Sequence, residues 1–496
     1  MSAYRTLHER FARLGALGEA VGILHWDAAT TMPAGGAGAR GEQLAALKVV
    51  LHDGLADPAL PDLLEDADGQ NDLDAWQRAN VAEMRRAVAH ATAVPADLVA
   101  ALSKASTACE MLWRKARPAN DFAAILPPLE KVLSLTREVA AAKAQALQKS
   151  PYDALLDTYE PGGSTATIDR LFAEVAAVLP GMIEAALSRQ ASLPPPLQPE
   201  GPFAVPAQRG LGLALMTRLG FDFERGRLDI SAHPFTGGTA SDVRLTTRYD
   251  EGDFRQALMG VLHECGHALY EQGLPAAWAR QPVGDARGMS LHESQSLLVE
   301  MQLCRGRAFM SFAAPLIRDA FGGTGAAWDA ENLYRLGTRV ARSLIRVDAD
   351  ELTYPAHVML RYRLERALIA GDMAPADLPQ EWRRGMHDLI GVTPPDDTAG
   401  CLQDIHWYEG AFGYFPTYTL GAMNAAQLFA AATAADAAIL AGIPRGDFAP
   451  LLEWLRRNVH EKAASRSTDR IMTEATGRPT ETAPYIAHLR ARYLSG

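Results

Sequence analysis

Cysteine is sparse in this 496-residue chain: Cys109, Cys265, Cys304 and Cys401 lie far apart and form no Cys-x-x-Cys pair. That argues against a disulfide framework and for buried thiols in a reducing cytoplasm. No apolar run approaches the roughly 18 residues of a membrane-crossing helix. Past Met1-Ser2-Ala3-Tyr4-Arg5 the chain enters a polar amphipathic stretch, with neither a secretory apolar core nor a small-residue cleavage site. A soluble, cytoplasmic protein is therefore expected. Positive charge is also in deficit, 48 Lys and Arg against 59 Asp and Glu, for a formal charge of −11. Such a field does not attract polyanions, so no nucleic acid and no membrane surface is expected as a partner. What is present is an ordinary globular composition, 48% apolar and 22% charged. It suffices for one large domain or roughly two to three ordinary ones.

Helical spacing dominates the first part of the chain. Leu7, Phe11, Leu14, Leu17, Val21 and Leu24 recur every three or four residues, one face of a helix over 3–25. After the break Met32-Pro33-Ala34-Gly35-Gly36 a second helix is expected over about 41–51. The same period recurs at 75–92, 96–117, 125–149 and 166–190. Residues 192–202, rich in proline, are the one clear linker signal. They suggest an N-terminal helical part (1–191), a Pro-rich loop (192–208) and a remainder (209–496), read as parts of a single fold spanning 1–496. Beyond the loop, residues 221–224, 227–231 and 242–249 alternate polar with apolar or β-branched side chains. Gly226 and Gly237-Gly238 separate them as turn residues, so a small antiparallel sheet is expected. Helical spacing returns from about 253 to the end. The fold class is mainly α with one small antiparallel β-sheet.

The segment most informative about chemistry is His263-Glu264-Cys265-Gly266-His267. Asp253 can cap a helix here, and Gly273-Leu274-Pro275 can stop it. Between them Phe254, Ala257, Leu258, Val261, Cys265 and Leu269 repeat at three and four. Such a helix puts both histidines on one face, one turn apart, where two imidazoles can hold one metal ion. Glu264 lies beside them, able to reach a water rather than the metal.

A catalytic zinc site takes three protein ligands and keeps an open position. A third ligand is expected from the later helical stretch that begins Ser290-Leu291-His292-Glu293-Ser294-Gln295. Spacing does not choose between Glu293, Glu300 and His292. Ser290 and Glu293 also spell an S-x-x-E capping box, which would make Glu293 purely structural.

These two segments together resemble the thermostable carboxypeptidase (carboxypeptidase Taq) family of metallocarboxypeptidases. Other stretches match motifs of that family as they stand: His233-Pro234-Phe235, Asp242-Val243-Arg244-Leu245-Thr246, Ile345-Arg346-Val347-Asp348-Ala349-Asp350 and Gly400-Cys401-Leu402-Gln403-Asp404-Ile405-His406-Trp407. His25-Trp26-Asp27 and Tyr159-Glu160-Pro161-Gly162 extend the likeness over essentially the whole chain. The resemblance implies a large, helical, saddle-like metallopeptidase fold with a deep groove, usually a homodimer. It implies removal of C-terminal residues from peptides with broad specificity, using one divalent ion, zinc or cobalt. Carried over by position, the ligands are His263, His267 and Glu293, with Glu264 as general base.

Further roles follow as expectations. A donor for the tetrahedral oxyanion is sought in the Gly-broken aromatic segment 410–418, with Tyr418 first and Tyr414 and His233 behind it. Arg346 lies in a motif that the family resemblance places at the groove, and its guanidinium suits recognition of a free C-terminal carboxylate; the alternative is an internal salt bridge with Asp348 or Asp350. His406 and Gln403 are expected to share the carboxylate or bind the last peptide group. Asp242, Arg244 and Thr246 share one face of a strand, which either lines the cleft or is solvated. An open edge of that strand could pair with an extended peptide. Asp350 and Glu300 are possible supports for the liganding histidines. Two rival functions share parts of this pattern: an oligopeptidase cutting internally, and a non-catalytic peptide-binding protein with a structural metal.

Overall fold

The structure is a computed structural model and describes residues 2–495. The first helical periodicities become α1 (Ala3–Thr30), α2 (Ala37–Leu55), α3 (Leu60–Asp68) and α4 (Ala75–Thr92). After them come α5 (Ala96–Ala119), α6 (Phe122–Leu147), α7 (Pro151–Leu156) and α8 (Thr165–Ala191). Their ends have local causes. Ser2 and Ser164 cap α1 and α8 by accepting from the amides of Arg5 and Thr167. Asn120 ends α5 in a left-handed conformation.

The Pro-rich loop is shorter than expected. Helix α9 (Val205–Leu219) starts inside it, because Pro206 lies in the first turn, where a missing N–H costs nothing. The remaining helices are α10 (Phe254–Gly273), α11 (Met289–Leu297), α12 (Arg307–Phe321), α13 (Ala330–Gly337), α14 (Tyr354–Ala370) and α15 (Leu378–Ile390). The chain ends with α16 (Pro416–Ala435), α17 (Ala437–Gly442), α18 (Ala449–Asn458), α19 (Thr468–Thr476) and α20 (Ala483–Tyr493). A π-helical turn, Leu298–Cys304, continues α11.

The sheet is mixed rather than antiparallel. Its strands are β1 (Gly226–Ile230), β2 (Thr236–Thr239) and β3 (Asp242–Thr247), in the order β1-β3-β2. β1 runs parallel to β3 with Leu228 opposite Leu245, and β2 antiparallel with Thr236 opposite Leu245. Alternation reveals which residues face inward but not the direction of the neighbour, so the sequence could not distinguish these pairings. Residues 223–225 form a short 3-10 turn instead of a strand, and Gly237-Gly238 lie within β2. β3 is central, with both edges occupied, so it offers no open edge to a peptide.

The chain packs as two compact units. One comprises Met1–Ala91, Pro196–Gly337 and Gly421–Thr480, the other Thr92–Pro195, Thr338–Leu420 and Glu481–Gly496. The linear division at 192–208 does not follow this partition, because contacts distant in sequence draw α1–α4 into the first unit. In that unit α10 is buried on most of its circumference, from Phe254 and Val261 to Cys265 and Tyr270. It packs in one apolar core with Leu228, Val243 and Leu245 of the sheet and Leu291 of α11. In the second unit α8 has the length and apolarity of a membrane span, although its charged residues interrupt every apolar run. Its apolar stripe, Ile168, Leu171, Phe172, Val175, Leu179 and Met182, is buried in the protein. All four cysteines are free and buried.

Candidate functional site

Helix α10 fixes the first two groups. Asp253 caps it by accepting from Arg255 N at 2.9 Å, and its final residue Gly273 precedes extended Leu274. His263 and His267 stand one turn apart, their ring centroids separated by 5.1 Å. Helix α11 crosses α10 at a very close approach. A Cβ on Gly266 would lie 2.4 Å from the Gln295 carbonyl oxygen and 2.6 Å from Ser296 Cα, which only glycine tolerates. That crossing sets Glu293 against the imidazoles. Gly421 leaves room for it from the other side, since a Cβ there would be 2.8 Å from Glu293 Cβ.

The helix does not start as the capping-box alternative requires. Gly288 occupies the N-cap of α11 without a side-chain bond, and Ser290 lies inside the helix. Glu293 Oε2 sits instead 3.2 Å from His267 Nε2 and 3.8 Å from His263 Nε2. One ligand atom from each of His263, His267 and Glu293 falls within 4.8 Å of the others.

Each imidazole turns its Nδ1 away from Glu293 toward a supporting group. His263 Nδ1 lies 2.9 Å from Glu300 Oε2, and Arg305 Nη2 donates to Glu300 Oε1 at 2.7 Å. His267 Nδ1 lies 2.7 Å from His292 Nδ1, whose own Nε2 is 2.8 Å from Glu271 Oε1. Glu300 belongs to the π-helical turn, a distortion often retained at functional positions. Burial pulls the His263 imidazole down, but the carboxylates of Glu293, Glu300 and Glu264 override it and push the pKa up to about 10. At His267 burial prevails and the pKa is lowered. Burial would raise the Glu300 carboxyl, yet Arg305 and His263 hold it down at about 2. Two imidazole nitrogens and one carboxylate oxygen, with both outer ring nitrogens engaged, form a donor set suited to zinc.

Glu264 is buried beside this trio, and its Oε2 accepts from Thr236 Oγ1 on β2 at 2.7 Å. Arg244 on β3 is partly buried. It pairs with Asp242 (2.6 Å) and stacks over Trp26, with Arg227 over the same ring. Thr246 is buried and accepts from Ser231 Oγ and Phe235 N, bracing the loop that carries exposed His233.

The second unit gathers Arg346, Gln403, His406, Tyr414 and Tyr418. Arg346 is buried; its Nε and Nη2 donate to Asp404 Oδ1 at 3.1 and 2.9 Å, and its Nη1 donates to Tyr354 OH at 2.8 Å. The internal ion pair is thus real, but its partner is Asp404. Asp350 instead accepts from Ala341 N, Leu352 N and Thr353. Arg361 Nε takes the other oxygen of Asp404 at 2.5 Å. Gln403 is committed within the protein: Oε1 accepts from Arg346 N and Arg361 Nη2, while Nε2 donates to Leu344 O, Ala399 O and Gly400 O. It braces the arginine pair and has no donor left for a peptide. His406 Nε2 lies 3.5 Å from Tyr418 OH, and burial together with Arg346 lowers the His406 pKa to about 4. Tyr414 and Tyr418 meet edge to face at 5.1 Å, and Arg346 lies 5.1 Å from the Tyr418 ring centre.

Comparison with known proteins gives one consistent answer. The model of the carboxypeptidase Taq (M32) metallopeptidase family matches residues 6–493. The chain belongs to this family. It is 39% identical to thermostable carboxypeptidase 1 of Thermus thermophilus over 507 residues, covering 100% of this chain and 99% of the relative. Among solved structures it is similar to Trypanosoma cruzi metallocarboxypeptidase 1, with TM-score 0.97, 40% identity and 99% of each chain covered. It also resembles the M32 carboxypeptidase of Deinococcus radiodurans R1, with TM-score 0.93, 36% identity and 99% of each chain covered. Family membership makes it a metallocarboxypeptidase and sets aside the endopeptidase and non-catalytic readings.

Thr236, Glu271, Arg305, Tyr354 and Arg361 take part in these contacts but belong to no motif that the linear chain presents. Two of them lie close in sequence to the group they support: Glu271 is one helical turn beyond His267, and Arg305 is five residues beyond Glu300. Thr236, Tyr354 and Arg361 come from separate elements and are recognised only through the fold.

Proposed function

We propose that this M32 metallocarboxypeptidase uses one zinc ion, with cobalt as a substitute, held by His263, His267 and Glu293, and Glu264 as general base. The observation that carries this reading is the convergence of two Nε2 atoms on Glu293 Oε2 while both Nδ1 atoms are engaged elsewhere. A divalent ion in such a site polarises the scissile carbonyl and lowers the pKa of water towards roughly 7. Glu264 takes the proton of the attacking water and returns it to the leaving amine. The Thr236 hydroxyl holds one Glu264 oxygen, which leaves the other for the proton.

Arg346 and Arg361 place two guanidinium charges against the single carboxylate of Asp404. The surplus positive charge suits the free carboxylate of a peptide C-terminus, with Arg346 and His406 as the groups that meet it. Tyr418, followed by Tyr414 and His233, is the proposed oxyanion donor, and Arg244 is proposed to act only indirectly, by fixing β3. A cytoplasmic homodimer acting on peptides with a free C-terminus completes the proposal.

The test pairs metal analysis of the purified protein with mass spectrometry of a peptide mixture. One zinc per chain and ladders shortening from the C-terminus are expected, and C-terminally amidated peptides should resist. Equal cleavage of acid and amide would remove carboxylate recognition.

A further inference from the structure

The two liganding imidazoles are supported in different ways. His263 meets a carboxylate directly, and that carboxylate is itself paired with Arg305. His267 meets another imidazole. We propose that His292 and Glu271 are positioning residues that fix the tautomer of His267 through a two-link hydrogen-bond chain from its Nδ1. The proposal rests on reading His263, His267 and Glu293 as the metal-binding trio.

Each link forces the next. A ring nitrogen binds a metal only when it carries no proton, so His267 must keep its proton on Nδ1. The atom 2.7 Å from that Nδ1 is His292 Nδ1. Two neutral imidazoles that meet nitrogen to nitrogen need one donor and one acceptor, so His292 carries its proton on Nε2. That nitrogen lies 2.8 Å from Glu271 Oε1, and an ionised carboxylate only accepts. The Glu271 carboxylate therefore selects the Nε2–H form of His292, which bares His292 Nδ1. The bare Nδ1 holds the proton of His267 on its outer nitrogen and leaves Nε2 open toward Glu293.

The rings are also fixed in place. His292 packs 4.6 Å from the His267 ring centre and 5.5 Å from that of Tyr270. Glu271 comes from the same helix as His267, one turn on, and His292 directly precedes Glu293 in α11. Each of these two helices thus supplies both a ligand and a group that orients one.

Zinc affinity, read by competition with a chelator of known affinity against the metal-free full-length protein, tests the chain of contacts. Supports of this kind typically contribute roughly 10–100-fold in metal affinity, and His292→Leu should lose about that much. His292→Gln, whose side-chain oxygen can accept from His267 Nδ1–H, should regain most of it. Glu271 is partly exposed, so Glu271→Ala is a variant expected to fold; it should bind zinc severalfold more weakly, and Glu271→Gln should stay near wild type. Unchanged zinc affinity in Glu271→Ala overturns the proposal, as does a His292→Leu loss that Gln fails to restore. If wild type itself binds no zinc, the assignment of the trio fails instead.

Discussion

Glu264 and Glu293 are adjacent to the same pair of imidazoles, and their neighbours give them different work. Glu293 Oε2 faces both Nε2 atoms, whereas Glu264 Oε2 accepts from Thr236. Glu264→Gln keeps an acceptor for Thr236 and leaves the trio intact. It should retain its metal and lose turnover by roughly 10²–10⁴-fold, measured as metal content beside kcat; near-normal kcat would remove the base. Glu293→Gln should weaken metal retention more than Glu300→Gln, because a Gln at 300 still accepts from His263 Nδ1–H. Equilibrium dialysis ranks the two, and the reverse order would make Glu300 the ligand.

At the scale of elements the site depends on how closely α10 and α11 cross. The atoms that would obstruct a Cβ on Gly266 belong to the backbone of Gln295 and Ser296, which cannot swing aside as a side chain would. Gly266→Ala should therefore push the helices apart, at a cost of roughly 1–3 kcal/mol. Thermal unfolding should show the lower Tm, and zinc competition should show weaker binding as Glu293 withdraws. Wild-type values for both would mean that the crossing has slack. The sheet contributes through β2, which carries Thr236 to Glu264. Its register opposite β3 thus matters to the base as well as to packing.

For the molecule as a whole, each unit closes on its own long-range contacts. In the second unit α20 is fastened to buried Glu351, which accepts from His488 Nε2 (2.7 Å), Arg492 Nη1 (2.8 Å) and Tyr493 OH (3.0 Å). Burial alone would raise this carboxyl, but Arg492 and His488 outweigh it and hold the pKa well below the ordinary range. Its folded pKa is thus below the unfolded value of about 4.3. The stability it contributes is complete above that value and drains away as pH falls through and below it. Glu351→Gln should lower Tm at neutral pH and flatten the acid limb of the Tm-against-pH curve. Parallel curves for the two proteins would mean that Glu351 does not drive the acid limb.

Helical periodicity, caps and the His-x-x-x-His spacing depend on neighbours within a turn or two. For that reason α1, α4, α5 and α10, with the face carrying His263 and His267, were legible in the linear chain. The choice of Glu293 over a capping role depended on which residue began α11, and the residues alone left it open until family likeness favoured the ligand. Only the tertiary structure decided the parallel pairing of β1 with β3, Asp404 as the partner of Arg346, and the chain from His267 through His292 to Glu271. Those contacts join segments whose separation along the chain carries no period, so nothing local encodes them. They arise when packing brings distant charges and ring nitrogens within hydrogen-bond reach.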